Sequence, residues 1–392
     1  MTIPPLAWLD SWVQHNEADL IAIRRHLHAH PEVARAEHET TAFLERRLSA
    51  AGLPAKPLPG GTGLTCDIGQ GPRTIALRAD LDALPLPDTK MVPYRSTVPG
   101  VSHACGHDAH TAILLGVALA LATGPALPGR IRCIFQPAEE AIPGGALDAI
   151  EGGALEGVDQ IFALHCDPHL SLGRVGLRPG AITAACDLVE VRVSGPGGHT
   201  ARPHLTVDLV YALGRIITEV PGLLSRAVDP RAALSLVWGA VEAGVAPNAI
   251  PQTGVLRGTV RMLDRSTWDT AESLVRRLVG QVGGPTGARV VVHYSRGVAP
   301  VVNDPGSVGL QRKGVSTALG AEAIADTGQS LGGEDFGWYL NQVPGALARL
   351  GVYSGEGPTL DLHRGNFDID ERALAIGVRT MVHTAYAALR AR

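Results

Sequence analysis

The stretch His103-Ala104-Cys105-Gly106-His107-Asp108-Ala109-His110 sets a thiol, three imidazoles and a carboxylate just ahead of an apolar helical run. An acidic pair, Glu139-Glu140, follows further along. A soft thiolate and imidazoles near hard carboxylates suit a divalent first-row metal. A chain that uses these groups together must fold so that distant segments end at one place. An open α/β sheet does this at the carboxyl ends of its strands.

The order of elements fits such a sheet. Asp19 to His30 has apolar positions at helical spacing and stops at Pro31, and Thr40 to Ala50 reads as a second helix ended by Gly52. Thr74–Arg78, Arg130–Phe135 and Ile161–Leu164 read as strands, with helices over 109–122 and 145–152. Strands separated by helices predict an α/β layer with a largely parallel sheet. Near Thr183 the character changes. Leu188–Val193 alternates as a half-exposed strand, Val207–Val220 is helical, and strands follow at Ala233–Val241 and Gly254–Met262. Then come a helix over 266–282, with Ser266 as its N-cap, and a strand at Arg289–Tyr294. This β-α-β-β-α-β order is that of a ferredoxin-like α+β unit. The expected layout is a catalytic domain, 1–182 with 297–392, interrupted by an inserted domain at 183–296. A chain of 392 residues is in any case too long for one compact core.

Composition narrows the partners. With 45% hydrophobic and 18% charged residues and a net charge of −4, the chain offers no basic footprint for nucleic acid and no basic face for anionic lipid. The longest apolar run, Ala112–Ala122, is far short of a membrane span. Met1 to Val13 lacks the basic and apolar regions of a secretory signal. The five cysteines are scattered and odd in number, which argues against a disulfide framework. A cytoplasmic setting, which keeps a cysteine ligand as thiolate, is the expectation.

Three strand ends carry groups of interest on this map: Asp80 and Asp82 after the first, Glu139 and Glu140 after the second, and His165 after the third. Any one of them alone is ordinary, since Glu139-Glu140 by itself reads as a solvated turn and Cys105 as a small buried hydrophobe. Cys105 and His107 are two apart, so on an extended segment both side chains point one way. The adjacent glutamates face different directions on an extended loop, so one can bind metal while the other holds a water. A nearby dication would keep both ionised.

These motifs resemble the metal-dependent amidohydrolases. The likeness runs through Leu77-Arg78-Ala79-Asp80-Leu81-Asp82-Ala83-Leu84-Pro85, His103 to Thr111, and Phe135-Gln136-Pro137-Ala138-Glu139-Glu140. It extends to Gly198-His199-Thr200-Ala201-Arg202-Pro203-His204, Ala246 to Pro251, Leu256 to Arg261, Gly333-Glu334-Asp335-Phe336 and Leu362 to Phe367. The chain resembles the branch of indole-acetyl-amino-acid hydrolases, hippurate hydrolases and N-acyl-amino-acid deacylases, which is related to aminoacylase and carboxypeptidase G. The resemblance implies amide hydrolysis of an N-acyl amino acid at two divalent metal ions, zinc or manganese foremost, with cobalt or nickel as alternatives. Cys105 would bridge the ions, His107 and His165 would complete one, and Glu140 and His363 the other. Glu139 would be the general base for the bridging water and then the acid for the leaving amine. Asp82 would orient a ligand histidine, with Asp80 the weaker candidate. The insert would be a lid and dimerisation domain, with His199, Asn248 and Arg261 contacting substrate, in a homodimer or higher homo-oligomer.

One segment departs from the pattern. Thr359 to Phe367 has Leu362 before His363 and Gly365-Asn366 before Phe367, where relatives more often carry proline or asparagine near the histidine and Pro-Arg before the phenylalanine. Metal binding is untouched by this, whereas local packing and acyl preference are not. His26, His28 and His30 read as structural residues at a helix end. Three rival readings remain at this stage: a metallo-exopeptidase or dipeptidase of the same chemistry, a Cys105–His107 nucleophile enzyme, and a non-catalytic metal-binding protein. The cysteine-nucleophile reading leaves Glu139, Glu140, His165 and His363 without a purpose, and the non-catalytic one does not need Glu139.

Overall fold

The computed structural model describes residues 6–391, so residues 1–5 of the expected signal-free N-terminus lie outside the described part. The chain divides into two compact units, one of residues 6–182, 302–328 and 335–391 and one of Thr183–Val301 with Gln329–Glu334. Against the span 183–296 read from sequence, the second unit also takes in 297–301 and 329–334. Among the described residues no helix is long and apolar enough to cross a membrane.

The first unit is built on an eight-stranded sheet, in the order 55–57, 64–69, 130–136, 74–80, 160–171, 345–353, 175–177, 324–326. Its four central strands run parallel: Arg130–Gln136, Thr74–Asp80, Gln160–Ser171 and Gly345–Tyr353. The strand Thr74–Asp80 is buried along its whole length, as a strand covered on both faces must be. Helices Ala7–Ala29, His107–Thr123 and Arg372–Leu389 share one apolar core with the sheet, through Leu20, Ile23, Leu114, Val117, Val378 and Met381 among others. Gly116 and Gly377 let these helices approach closely. A Cβ at Gly116 would meet Leu20 Cδ2 at 2.5 Å, and one at Gly377 would meet Ile113 Cδ1 at 2.4 Å. The first helix begins at Ala7, a long way ahead of the Asp19 read from sequence. Leu9 and Val13 extend its buried stripe.

The second unit holds a four-stranded antiparallel sheet, Ser235–Ala243, Thr253–Met262, Ala185–Ser194 and Arg289–Val298 in that spatial order, with helices Leu209–Ala227 and Arg265–Gly283 in the intervening connections. This is the ferredoxin-like arrangement. Its strand Ala185–Ser194 alternates buried and outward residues, as a half-exposed strand should. Two local expectations are corrected. The helix expected to end at Val220 continues through Pro221 to Ala227, because Val220 and Leu224 prolong the buried stripe of Leu209, Leu213 and Ile216. The N-cap of the second helix is Asp264, whose carboxylate accepts from Thr267 N at 2.6 Å; Ser266 is already helical and bonds Asp264 instead. Buried Asp187 accepts from Trp268 Nε1 at 2.9 Å, Tyr294 Oη at 2.6 Å and Gly297 N at 2.9 Å, so its charge is fully bonded.

Behind the strand ends of the first unit lies a buried ion network. Arg24 donates to Asp108 at 2.7 Å and to Asp368 at 2.6 Å, and reaches Glu371 at 3.3 Å. Both ring nitrogens of His28 face carboxylates, Asp108 at 2.7 Å and Asp88 at 3.1 Å. The structural role read for His28 is thus to lock the first helix onto the start of the helix that follows Cys105. Burial opposes the charge of Asp108, but Arg24 and His28 outweigh it and hold the carboxyl well below its usual range. Arg24→Leu is expected to cost about 3–5 kcal/mol at pH 7, the scale of an orphaned buried charge. Because the folded pKa of Asp108 is depressed, its stabilisation is complete above about pH 4 and is lost as pH falls through the folded value. Urea unfolding of both proteins should therefore show the gap narrowing on acidification.

Candidate metal centre

Cys105 and His107 meet by a turn, not by strand alternation. Gly106 between them is left-handed (φ +86°), and His107 opens the helix His107–Thr123. The expectation of an extended segment is corrected accordingly. A side chain at Gly106 would strike Cys166 Cβ and Sγ at 3.1 Å, so the turn needs glycine both for its backbone and for space. His165 lies within the long strand Gln160–Ser171 instead of just after a strand. The neighbouring strand ends at Asp80, and its pairing with this one stops at Arg78↔Ala163, so His165 is level with the sheet's carboxyl edge.

These placements gather the expected ligands of the first unit. One ligand atom each of Cys105, His107 and His165 lie within 4.8 Å of one another, and so do those of Cys105, Glu140 and His363. A third such group is His107, Glu139 and Glu140. His165 Nδ1 donates to the Cys166 carbonyl at 2.8 Å, leaving Nε2 to face Cys105 Sγ at 3.6 Å. His107 Nδ1 is 3.3 Å from Asp82 Oδ1, which likewise turns its Nε2 inward, 3.9 Å from Glu139 Oε2. His363 Nε2 is 3.2 Å from Glu140 Oε1. Its backbone N–H donates to Ala104 O at 2.8 Å, and its backbone is left-handed, with φ +58°. Ala138, beside Glu139, also has a positive φ, +56°.

A fourth group, Asp80, His107 and His110, also brings ligand atoms together but is already satisfied. His110 Nδ1 bonds Asp80 at 2.7 Å and its Nε2 accepts from Cys166 N at 2.8 Å, so no lone pair is left. Asp80 thus serves His110 and Arg78, and lies only 3.8 Å from His107; Asp82 is the nearer carboxylate.

The donor set fits dications. His107 Nε2 is buried with no hydrogen-bond partner, a costly state unless a cation completes it. Burial pushes the His165 imidazole well down, and the nearby Arg349 charge adds to this, so it is held neutral as a ligand must be. Hydrogen bonding to Cys105 and then to Glu140 raises His363 to about 10, showing how strongly this corner favours positive charge.

The loop bearing Glu139 and Glu140 is gripped from three sides. Asp82 accepts from Glu139 N at 3.1 Å and Glu140 N at 2.9 Å. Glu37 accepts from Ala138 N at 2.7 Å, and burial pushes its carboxyl up. Asp335 accepts from Arg78 and Gln136 Nε2 at 2.8 Å and from Ala146 N at 2.9 Å. Sequence reasoning missed Glu37, Arg78, His110 and Asp335 as parts of the site. An arginine inside a buried strand, Arg78, was the available signal.

His199, Asn248 and Arg261 belong to the second unit. His199 is exposed on a two-residue strand paired with Ala249, next to Asn248, whose carbonyl accepts from Thr200 N at 3.2 Å. The His199 ring accepts from Ala201 N at 3.1 Å. Arg261, on the strand Thr253–Met262, donates to the Leu331 carbonyl.

The chain matches the description of peptidase family M20/M25/M40 over residues 76–387. It is 38% identical over 362 residues to an N-acetyl-L-cysteine deacetylase of Bacillus subtilis, covering 91% of this chain and 85% of that one. A Rhodococcus jostii protein named for a glutamate–cysteine ligase is 50% identical over 378 residues, and the chain spans 95% of itself but only 47% of that protein. Among solved structures, a dinuclear metal-binding peptidase of the same family from Bacillus subtilis superposes with a TM-score of 0.83 at 31% identity, over 96% of this chain and 99% of that one. With this fold and ligand cluster the protein is an amidohydrolase-class enzyme. The chain belongs to peptidase family M20/M25/M40.

Gly144 tests the loop geometry. Its φ is +94°, and a Cβ there would fall 2.4 Å from Asp335 Oδ2. Gly144→Ala should cost about 1–3 kcal/mol in thermal unfolding. Limited proteolysis should cut faster between 138 and 146.

Proposed function

We propose that this chain hydrolyses the amide bond of N-acyl amino acids, releasing a carboxylic acid and an amino acid, with two divalent ions bound in the first unit. The observation that carries the reading is that the Cys105 sulfur belongs to two ligand groups at once. His107 and His165 would hold one ion with it, and Glu140 and His363 the other. When bound, the ions would acidify a water and polarise the scissile carbonyl. Glu139 takes the proton from the attacking water and delivers it to the leaving amine nitrogen, so the two half-reactions share one carboxylate. Asp82 acts through others: it sets the His107 tautomer and, by accepting from the backbone of Glu139 and Glu140, fixes where both carboxylates stand. His199, Asn248 and Arg261 of the second unit form part of the proposal as substrate-binding residues.

The amide specificity draws support from the deacetylase relative. Thiolate and imidazole favour zinc on softness, and the carboxylate half of the set accepts manganese, cobalt or nickel. A reducing, cytoplasmic compartment, which keeps a cysteine ligand as thiolate, is part of the same reading. Glu139→Gln should still bind two ions per chain by metal analysis while hydrolysis of an N-acetyl amino acid falls about 10²–10⁴-fold, the usual worth of a general base. Chelation of the wild type should abolish turnover and metal readdition restore it. Equal activity of the variant, or faster cleavage of a free dipeptide than of an acyl amino acid, would overturn the assignment.

The same reading includes a homodimer or higher homo-oligomer, with the second unit supplying the contact. Strand Ser235–Ala243 is an edge of its sheet, and Val237 (62% exposed) and Val241 (57%) on it leave apolar surface open. Val210 and Tyr211, at the start of the nearest helix in sequence, are exposed too. An uncovered apolar edge invites pairing with a second copy. Sedimentation should give a dimer for the wild type and a monomer for Val241→Lys.

A further inference from the structure

The strand Gly345–Tyr353 carries an arginine where its neighbours are apolar. Ala348 and Leu350 on either side of it are buried in the core of the first unit, so Arg349 points to the opposite face of the sheet. In the parallel ladder Arg349 is the register partner of His165, which puts the two side chains on one face. That is the face from which His165 reaches Cys105. On its other side Arg349 is paired with Gly176, and a Cβ at Gly176 would stand 3.2 Å from the Arg349 Cβ and 2.8 Å from the Thr327 Cβ. Glycine there leaves room for the arginine stem.

Arg349 is half-buried, yet its guanidinium makes no ion pair or hydrogen bond among the described residues. Beside a centre that collects dications, an unpaired guanidinium adds repulsion, and an anion arriving with the substrate would relieve it. Two carboxylates of the centre are already engaged: Asp80 with His110 and Arg78, and Glu140 with His363.

We propose that Arg349 is a substrate-binding residue that takes a carboxylate of the acyl amino acid on the His165 side of the centre. The inference rests on the amidohydrolase reading above. A guanidinium offers two parallel N–H donors to a carboxylate, a geometry that a carboxamide cannot match. The carboxylate has two sources, the amino-acid half or an acidic acyl group.

Three ligands separate these sources: N-acetyl-L-methionine, its carboxamide, and N-succinyl-L-methioninamide. Their affinities for the metal-loaded Glu139→Gln protein are measured by calorimetry, with and without Arg349→Gln. The expected result is that Arg349→Gln weakens one of the two acids roughly 10- to 100-fold, leaves the neutral amide unchanged, and keeps two ions per chain. Which acid is affected identifies the source, and Arg349→Lys should restore part of the preference. In the otherwise wild-type enzyme the same change should appear in KM and not in kcat. Equal weakening of all three ligands, loss of ions, or no change for either acid would overturn the proposal. If wild-type protein cleaves acyl amino acids while Arg349→Gln has no effect, this inference alone falls. If the parent binds neither acid and the wild type cleaves none, the functional reading falls and takes this one with it.

Discussion

Concentrating acceptors at the end of a buried sheet is costly unless positive charge answers them, and that constraint organises the first unit. Two internal arginines answer part of it. Arg24 neutralises Asp108 behind the helix that follows Cys105, and Arg78 neutralises Asp80 and Asp335 beneath the Glu139 loop. At the front of the cluster His107 Nε2 has no hydrogen-bond partner. A buried imidazole nitrogen left free beside carboxylates and a thiol suits a cation site.

The supporting groups make this possible by fixing atoms before anything binds. Asp82 and the Cys166 carbonyl choose which nitrogen of His107 and His165 is free. Asp82, Glu37 and Asp335 together pin the backbone around Ala138, whose positive φ they overcome. The cost of this strain and burial is met elsewhere, in the apolar contacts among the helices of residues 7–29, 107–123 and 372–389 with the sheet. Such preorganisation is what a hydrolytic centre requires, because groups already in place need not reorganise as charge develops.

Much of this was legible in the chain. The helix–strand alternation and the clustering of His103 to His110 with Glu139-Glu140 pointed to strand ends in an α/β sheet, and the β-α-β-β-α-β order pointed to a ferredoxin-like unit. Less was legible where a residue's meaning depends on its neighbours. His110 stands in the same motif as His107, yet Asp80 and Cys166 consume both of its nitrogens. Glu37 and Asp335 lie far along the chain from Ala138 and Ala146, which they hold. Pro221 reads as a helix stop, and burial of the flanking apolar stripe overrides it.

The sequence by itself determined the kinds of ligand available, their placement near the ends of periodic apolar segments, and hence the class of chemistry, since side-chain type and hydrophobic period are local properties. The tertiary structure alone decided which imidazole nitrogens stay free, that a left-handed Gly106 joins Cys105 to His107, and that Arg349 shares a sheet face with His165. Those outcomes depend on strand register and on which groups burial brings within bonding distance, and neither is encoded by any one segment.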